Sequence, residues 1–375
     1  MSRKFIIWHD RDFDFALWVH KNSILKNFEV TLKAIPKTYS VNNLLTSFKS
    51  KEDFKIMPVI QFAGHDVIVQ EILENESKIL LASEFMTQTP QHDHVPQRFE
   101  RIYKSSSLGV PSAFIYPKNK IKLEKNKKTN TYEPRNYSSS SIPLSIYVKT
   151  NELFENPSLM FYWPTEDGYL LFDKNHPTAP LNKHEVNDWF HFLDQLILGS
   201  DNDLTSVKQQ KKMKVELGDF NFDKSKQVRL SEHLSEDIPE YLQIPESNFP
   251  ESFFNYDKTY IYSFSSKGWR TDPYMGWACG YKRLFCEGND GNKIANFVYM
   301  PIKTEEVKKD FYNLDELCKE CPFDNFNIFE NYNYADLVKH IKSEKCISTR
   351  AKDLRILSRV ADLLVLKEGY IFIND

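Results

Sequence analysis

The stretch GHDVIVQEILENESKILLASEFMTQTPQHDHVPQRFERIYKSSSLGVPSAFIYP, residues 64–117, decides the fold class of this 375-residue chain. It contains three short apolar runs, at residues 66–69, 78–85 and 113–116. A polar turn separates the first two runs, and a polar loop followed by a helical pattern at residues 97–103 separates the last two. Short apolar runs bounded by turn residues are typical of buried strands. The order therefore predicts strand, hairpin turn, strand, loop, helix and strand.

Two acidic residues lie at ends of the predicted strands. Asp66 opens the first apolar run, and Glu84 is close to the end of the second. Because the two strands are adjacent, their carboxylates can converge on one point, and Mg²⁺ is commonly held by one or two carboxylates with waters and substrate phosphate oxygens. On spacing alone the alternative stays open: Asp66 in an ordinary turn, and Glu84 on the solvated face of an edge strand.

The stretch resembles the core of the PD-(D/E)XK nuclease superfamily, in particular its restriction-endonuclease-like members. The phrases that carry the resemblance are EFMT at residues 84–87, QR-x-x-R at residues 97–101 and GVP-x-A-x-IYP from Gly109. The resemblance implies an α/β (α+β) fold, in which helices flank a mixed central sheet. We also expect an additional mixed C-terminal domain.

The resemblance further implies roles for four residues. Asp66 and Glu84 match the two metal-binding acids, and Gln97 and Arg101 match the helix positions. The implied activity is site-specific hydrolysis of phosphodiester bonds in double-stranded DNA, as in type II restriction enzymes. The implied cofactor is Mg²⁺, for which Mn²⁺ would substitute. Cleavage of two strands would favour a homodimer.

The chain departs from the family pattern at two positions. His65 stands where proline usually precedes the first acid, and Met86 stands where a lysine usually follows the second. A thioether cannot supply the charge of that lysine. Gln97 and Arg101 are four residues apart on one helix face, so we expect them to point together at the strand ends. Arg98 is expected to point elsewhere, toward DNA or a nearby acid.

The loss of the lysine leaves two other functions open. One is a non-catalytic nucleic-acid-binding defence protein with a degenerate nuclease fold. The other is a metal-dependent nuclease that acts on RNA.

Composition limits the class of protein. Hydrophobic residues make up 41% and charged residues 27% of the chain, and the formal net charge is −3. These values are typical of globular proteins and argue against a histone-like or tail-mediated nucleic-acid binder. The charged start of the chain and the absence of a long apolar run predict a cytoplasmic protein that does not associate with membranes.

We expect three regions along the chain. Residues 1–141 form the catalytic core, residues 142–200 continue the core or form an accessory subdomain, and residues 256–375 form a DNA-recognition domain. A polar connector, residues 200–255, separates the last two.

The C-terminal region interleaves basic and aromatic residues: Lys267, Trp269, Arg270 and Arg283. Arginine can contact guanine through two hydrogen bonds and tryptophan can stack on bases, which predicts a nucleic-acid surface. Ordinary aromatic packing between strands is the alternative.

Two further features leave alternatives open. The basic run at residues 118–128 follows the third core strand and either contacts phosphates or forms a solvated loop. A later set, Cys318, Cys321, His340 and Cys346, either binds zinc or consists of free thiols and an unrelated histidine. The acids at the start of the chain, in WHDRDFDF, are expected to form a solvated turn.

Overall fold

The computed structural model describes the following ranges of the chain: residues 3–10, 12–35, 55–60, 65–74, 76–88, 90, 98–139, 141–199, 204–220, 231–233, 258–263, 284, 294–299, 362–365 and 370–372. The chain divides into two compact units. Residues 1–36 and 50–220 form the first, and residues 37–49 and 221–375 form the second.

A six-stranded mixed sheet lies at the centre of the first unit, in the order β2-β1-β3-β4-β5-β8. Its strands are β1 (Lys4–His9), β2 (Glu29–Ala34), β3 (Val67–Ile72), β4 (Ser77–Phe85), β5 (Ser112–Tyr116) and β8 (Ser158–Tyr162). Every residue of β5, and all but the last of β3, is buried. Continuous burial indicates that both faces of the sheet are covered. The predicted mixed α/β fold with a central mixed sheet is confirmed in this coarse sense.

The directions of the strands bring particular chain ends together. Strands β1, β3 and β4 form an antiparallel series, whereas β4, β5 and β8 are mutually parallel. The start of β3 and the ends of β1, β4, β5 and β8 therefore lie at one edge of the sheet, called the site edge.

Six α-helices are present in the described part of the first unit: α1 (Phe13–Asn22), α2 (Met57–Ile60), α3 (Phe99–Ser107), α4 (Ser141–Leu153), α5 (Glu185–Leu198) and α6 (Leu204–Leu217). A 3-10 turn, Ile24–Asn27, follows α1. None of the described helices is long and apolar enough to cross a membrane.

Aromatic residues pack α1 and α5 against one face of the sheet. Phe85 of β4 stacks on Phe15 of α1 with ring centroids 4.8 Å apart, and the rings of Trp18 and Trp189 stack at 5.8 Å. Side chains alternate between the two faces along a strand, so Glu84 points to the opposite face from Phe85. That opposite face is where α3 contacts Glu84.

Smaller two-stranded sheets follow β5 and β8. Strands β6 (Asn119–Lys125) and β7 (Tyr132–Ser138) form an antiparallel hairpin. The others pair β9 (Thr165–Glu166) with β10 (Tyr169–Leu170), and β11 (Phe172–Asp173) with β12 (His176–Pro180). The basic run at residues 118–128, left open in the sequence as a phosphate contact or a solvated loop, thus lies almost entirely in an ordered hairpin.

Four helices, α1, α2, α4 and α6, were not predicted from the sequence. The acids of WHDRDFDF lead into α1, because Asp12 caps that helix by accepting hydrogen bonds from the amides of Asp14 and Phe15. Helix α4 lies at the start of the region, residues 142–200, that was expected to continue the core or to form an accessory subdomain. Helix α6 lies where the connector was expected to begin, and its buried contacts include Gln209, whose amide donates to the carbonyl of Met160.

A five-stranded sheet forms the described part of the second unit. Its strands, in spatial order, are β13 (Ser231–His233), β14 (Lys258–Ser263), β15 (Ile294–Tyr299), β16 (Leu363–Val365) and β17 (Tyr370–Phe372). The three central strands are parallel, and the two outer ones are antiparallel to their neighbours.

Candidate active site

The site edge brings Asp66 and Glu84 opposite each other. Val67 pairs with Ser83 in the antiparallel ladder of β3 and β4, so the next pair toward the site edge is Asp66 and Glu84. The Oδ2 atom of Asp66 accepts a hydrogen bond of 2.6 Å from the amide of Phe85. The predicted convergence of the two acids is therefore present in the structure.

The backbone of Asp66 is held from its other side by β1. The amide of Asp10, the residue after β1, donates to the carbonyl of Asp66 at 3.1 Å. Asp10 thus follows the end of β1 at the site edge, and its charge also favours the protonated form of the Arg101 guanidinium. From the sequence, Asp10 was expected in a solvated turn, away from the two acids of the site.

Arg101 of α3 binds the Glu84 carboxylate directly. Its Nη1 donates to both oxygens, at 2.9 Å to Oε1 and 2.7 Å to Oε2. The Glu84 side chain is fully buried, whereas that of Arg101 is 23% exposed. Arg101 therefore neutralises the buried acid and keeps part of its own side chain in contact with solvent.

Arg98 and His65 add further positive or hydrogen-bonding groups to Glu84. The Nε atom of Arg98 lies 3.3 Å from Oε2, and Nδ1 of His65 lies 3.3 Å from Oε1. Both are close contacts whose geometry falls short of a hydrogen bond. The other ring nitrogen of His65 is 2.9 Å from the hydroxyl of Ser105, on α3. His65 therefore bridges Glu84 and α3.

The direction of Arg98 differs from the expectation. Helical spacing predicted that its side chain would point away from the face of Arg101, yet both arginines reach Glu84. The reason is local, because Arg98 is the residue that precedes α3, with φ −99° and ψ −7°. The 3.6-residue period of a helix therefore does not fix its direction.

The two acids differ in their affinity for protons. Burial, together with the charge of Glu84, raises the pKa of Asp66 to about 7. Burial would also raise the pKa of Glu84, but Arg101, His65 and Arg98 outweigh it and lower that pKa to about 2. Near neutral pH, Glu84 is thus fully ionised, and Asp66 is the acid that gains or loses a proton.

The donor chemistry of this pair fits a hard cation only in part. Two carboxylates are sufficient protein ligands for Mg²⁺ when waters and phosphate oxygens complete the shell. The pKa of Asp66 is raised first by burial and then by the charge of Glu84, and a bound cation would favour the ionised form of this acid. Both Glu84 oxygens, however, already contact Arg101. No group of three or more acidic, histidine or cysteine side chains suited to a metal occurs within the described residues.

The remaining predicted site residues have mixed outcomes. Met86, at the position of the usual lysine, is buried in the hydrophobic core and faces no anion. Gln97 lies outside the described residues. The same is true of the C-terminal set Lys267, Trp269, Arg270 and Arg283, and of the zinc candidates Cys318, Cys321, His340 and Cys346.

His65 and Ser105 belong to the site but were not predicted as functional residues. A signal for His65 was present, because the histidine replaces a proline beside the first acid. Ser105 lies four residues after Arg101, one helical turn further along the same face, which is the signal that spacing offers for it.

No protein-family model, curated protein or solved structure matches this chain.

Proposed function

We propose that this protein is a metal-dependent endonuclease that hydrolyses phosphodiester bonds of double-stranded DNA. The observation that carries the proposal is the placement of Asp66 opposite Glu84 at the site edge, with Arg101 and Arg98 on the same carboxylate. The strand series β1-β3-β4, followed by α3 and the parallel strand β5, is consistent with the restriction-endonuclease-like core to which the sequence has a resemblance.

Asp66 and Glu84 are the residues that would hold Mg²⁺. Such an ion lowers the pKa of a bound water and offsets negative charge on the phosphate. For Glu84 to contribute, Arg101 must release at least one of its two hydrogen bonds to the carboxylate. The phosphate of a bound nucleic acid is a strong acceptor for arginine and competes for the same guanidinium.

The arginines have a definite role in this proposal. Arg101 supplies the fixed positive charge that Met86 cannot supply, and His65 and Arg98 keep Glu84 ionised while Arg101 contacts the phosphate. We assign Gln97 to the shell of the attacking water. In hydrolysis the oxygen of that water forms a new bond to phosphorus while the bond to the leaving sugar oxygen breaks. The leaving oxygen takes up a proton.

A cleavage assay with point variants tests the proposal. Purified protein is incubated with unmethylated duplex DNA in Mg²⁺, in Mn²⁺ and in EDTA, alongside Asp66→Ala and Glu84→Ala. We expect cleavage only with a divalent ion, loss of cleavage in both variants, and nearly unchanged DNA binding. Glu166→Ala, at an exposed acid in β9, is the matched control and should cut at the wild-type rate.

A second candidate is a non-catalytic nucleic-acid-binding protein with the same fold. It is favoured by the contact of both Glu84 oxygens with Arg101, because a guanidinium there takes the place of a metal ion. In that case the wild type would bind DNA without cutting it in either metal. If Glu84→Ala cuts as fast as the wild type, Glu84 is not part of an active site. Cleavage of RNA in place of DNA would identify an RNA nuclease.

A further inference from the structure

The hairpin of β6 and β7, residues 119–138 (the basic arm), has a charge opposite in sign to that of the whole chain. It contains six lysines and arginines and two glutamates, whereas the whole chain has a net charge of −3. Most of its residues are exposed. The arm is therefore a positively charged ribbon on a slightly acidic protein.

The root of the arm is fixed at the site edge. Lys120 Nζ donates to the carbonyl of Thr87 at 2.6 Å, and Thr87 lies three residues after Glu84 on the chain that leaves β4. The amide of Ile121 donates to the carbonyl of Gly168 at 2.9 Å. These contacts join the arm to the same edge of the sheet as the acid pair, so a ligand at one is close to the other.

The turn at the far end of the arm has a defined shape. The amide of Asn126 donates to the carbonyl of Thr131 at 2.8 Å, and the Asn126 side chain accepts from the amide of Lys128 at 3.0 Å. Asn130 adopts the left-handed conformation, with φ 61°, that such a turn requires and that asparagine tolerates. The arm thus presents its end residues on an ordered turn.

The acids of the arm are engaged within the arm itself. Glu124 pairs with Lys122 and Arg135, at 3.6 Å and 3.4 Å. Glu133 accepts from the side-chain amide of Asn126 at 3.0 Å. Neither glutamate forms an ion pair with the lysines near the turn.

Three lysines near the turn (the tip lysines), Lys125, Lys127 and Lys128, are exposed. They form no ion pair with any described residue. On one face of the ribbon beside them, Leu123 is 57% and Tyr132 is 69% exposed. Unpaired cations beside an uncovered apolar face are suited to a groove of duplex DNA, which offers phosphates along its edges and thymine methyl groups on its floor.

We infer that the basic arm lies along a groove of duplex DNA and that its tip lysines contact phosphates. The seven-residue strands span about 24 Å at about 3.4 Å per residue. A major groove about 12 Å wide admits a two-stranded β-ribbon. That the ligand is duplex DNA rests on the proposed function. That the arm binds a polyanion rests on the exposed lysines and apolar face of the arm.

Counterion release gives the size of the expected effect. Each phosphate contact adds about 0.9 to the slope of log affinity against log salt concentration. Three contacts therefore add about 2.7 to the slope. Over the tenfold range from about 1 M to about 0.1 M salt, that slope corresponds to an increase in affinity of about 500-fold.

The test compares two triple variants with the same change in net charge. The first is Lys125→Gln/Lys127→Gln/Lys128→Gln. The second, the control, replaces exposed lysines elsewhere with glutamine: Lys174, Lys208 and Lys211. Affinity for a fluorescent duplex of about three helical turns is measured by anisotropy over a range of salt concentrations. Cleavage is followed separately in single turnover, and thermal unfolding confirms that both variants fold.

We expect the arm variant to lose at least tenfold in affinity and about 2.7 in salt slope, with a wild-type cleavage rate at saturating DNA. The control variant should keep affinity and slope. Equal losses in both variants would mean that only net charge matters and would overturn the inference. An affinity of the arm variant equal to that of the wild type would also overturn it. The same holds if light scattering shows a changed oligomeric state of the arm variant while its affinity for DNA is unchanged. Absence of cleavage by the wild type would refute the proposed function alone.

Discussion

Replacement of Asp66 by asparagine is expected to stabilise the protein while removing its proposed activity. Burial and the neighbouring Glu84 raise the pKa of the Asp66 carboxyl from its usual 3.8 to about 7. The ionised form is therefore unfavourable in the folded state. Asparagine has the same shape without the charge, and its carbonyl oxygen can still accept the hydrogen bond from the amide of Phe85.

The sign of the pH dependence follows from the direction of this change in pKa. A carboxyl with a raised folded-state pKa binds its proton more tightly when folded, so the folded state loses stability as pH rises from about 4 to about 7. At about 1.4 kcal/mol per pKa unit, ionisation of Asp66 lowers the free energy of unfolding by on the order of 4 kcal/mol above pH 7. Near pH 5 the same loss of stability is only about 2 kcal/mol. These are upper values, because the Asp66 side chain is only partly buried.

The measurement is urea unfolding of the wild type and Asp66→Asn at about pH 5 and about pH 8.5. The variant should be more stable at both, and its advantage should be about 2 kcal/mol larger at the higher pH. Asp167→Asn, at an exposed turn residue with φ 48°, is the control and should show no such difference. An advantage that is equal at the two pH values, or absent at the higher one, would refute the account in which burial and the charge of Glu84 raise the pKa of Asp66.

Two other predictions follow from particular contacts, and a third follows from the sequence of the C-terminal region. Arg101→Met should lower the free energy of unfolding by about 3–5 kcal/mol, because it leaves the buried Glu84 carboxylate without its main partner. The double variant with Glu84→Gln should regain most of that loss. If the effects of the two substitutions on the free energy of unfolding simply add, the two side chains do not interact. Gly168→Ala should cost about 1–3 kcal/mol and speed hydrogen exchange at the Ile121 amide, because Gly168 has φ 81° and an added Cβ would lie 2.7 Å from Ile121 Cγ1; unchanged exchange would show that the arm is held elsewhere. Arg270→Ala should weaken binding to the recognised DNA by about 1–3 kcal/mol if Arg270 contacts a base. An equal loss of affinity on all DNA sequences would show that Arg270 contacts a phosphate. Unchanged affinity would show that Arg270 does not contact DNA.

The elements of the core could be predicted from the sequence because their patterns are local. The apolar runs at residues 66–69, 78–85 and 113–116 correspond to β3, β4 and β5, and the helical pattern at residues 97–103 corresponds to α3. In each case burial on both faces, or on one helix face, imposes a period that is visible in the residue types. The placement of Asp66 and Glu84 at strand ends followed from the same runs.

Helices α4 and α6 were missed because their burial is not matched by a clear apolar period. Helix α4 is buried along nearly its whole first two turns, and polar residues such as Ser145 and Thr150 are among its buried positions. Helix α6 buries a serine and a glutamine beside Met213. Ser145 and Thr150 donate to the carbonyls of Ile142 and Ile146 within α4 itself, whereas Gln209 of α6 donates to the carbonyl of Met160 in β8. Buried polar groups that are satisfied in these ways interrupt the apolar period, so the residue types alone do not show the burial.

The charge state of the site was decided by tertiary structure. From the sequence, Asp66 and Glu84 were two equivalent acids, and Arg98 and Arg101 were expected to diverge. Pairing of β3 with β4 places the acids side by side, and the packing of α3 brings both arginines and His65 to one of them. Glu84 is therefore ionised, whereas Asp66 titrates near neutral pH. The types and order of these residues are local properties of the chain, but the pKa of a buried group depends on distances between charges that only the folded sheet and helix establish.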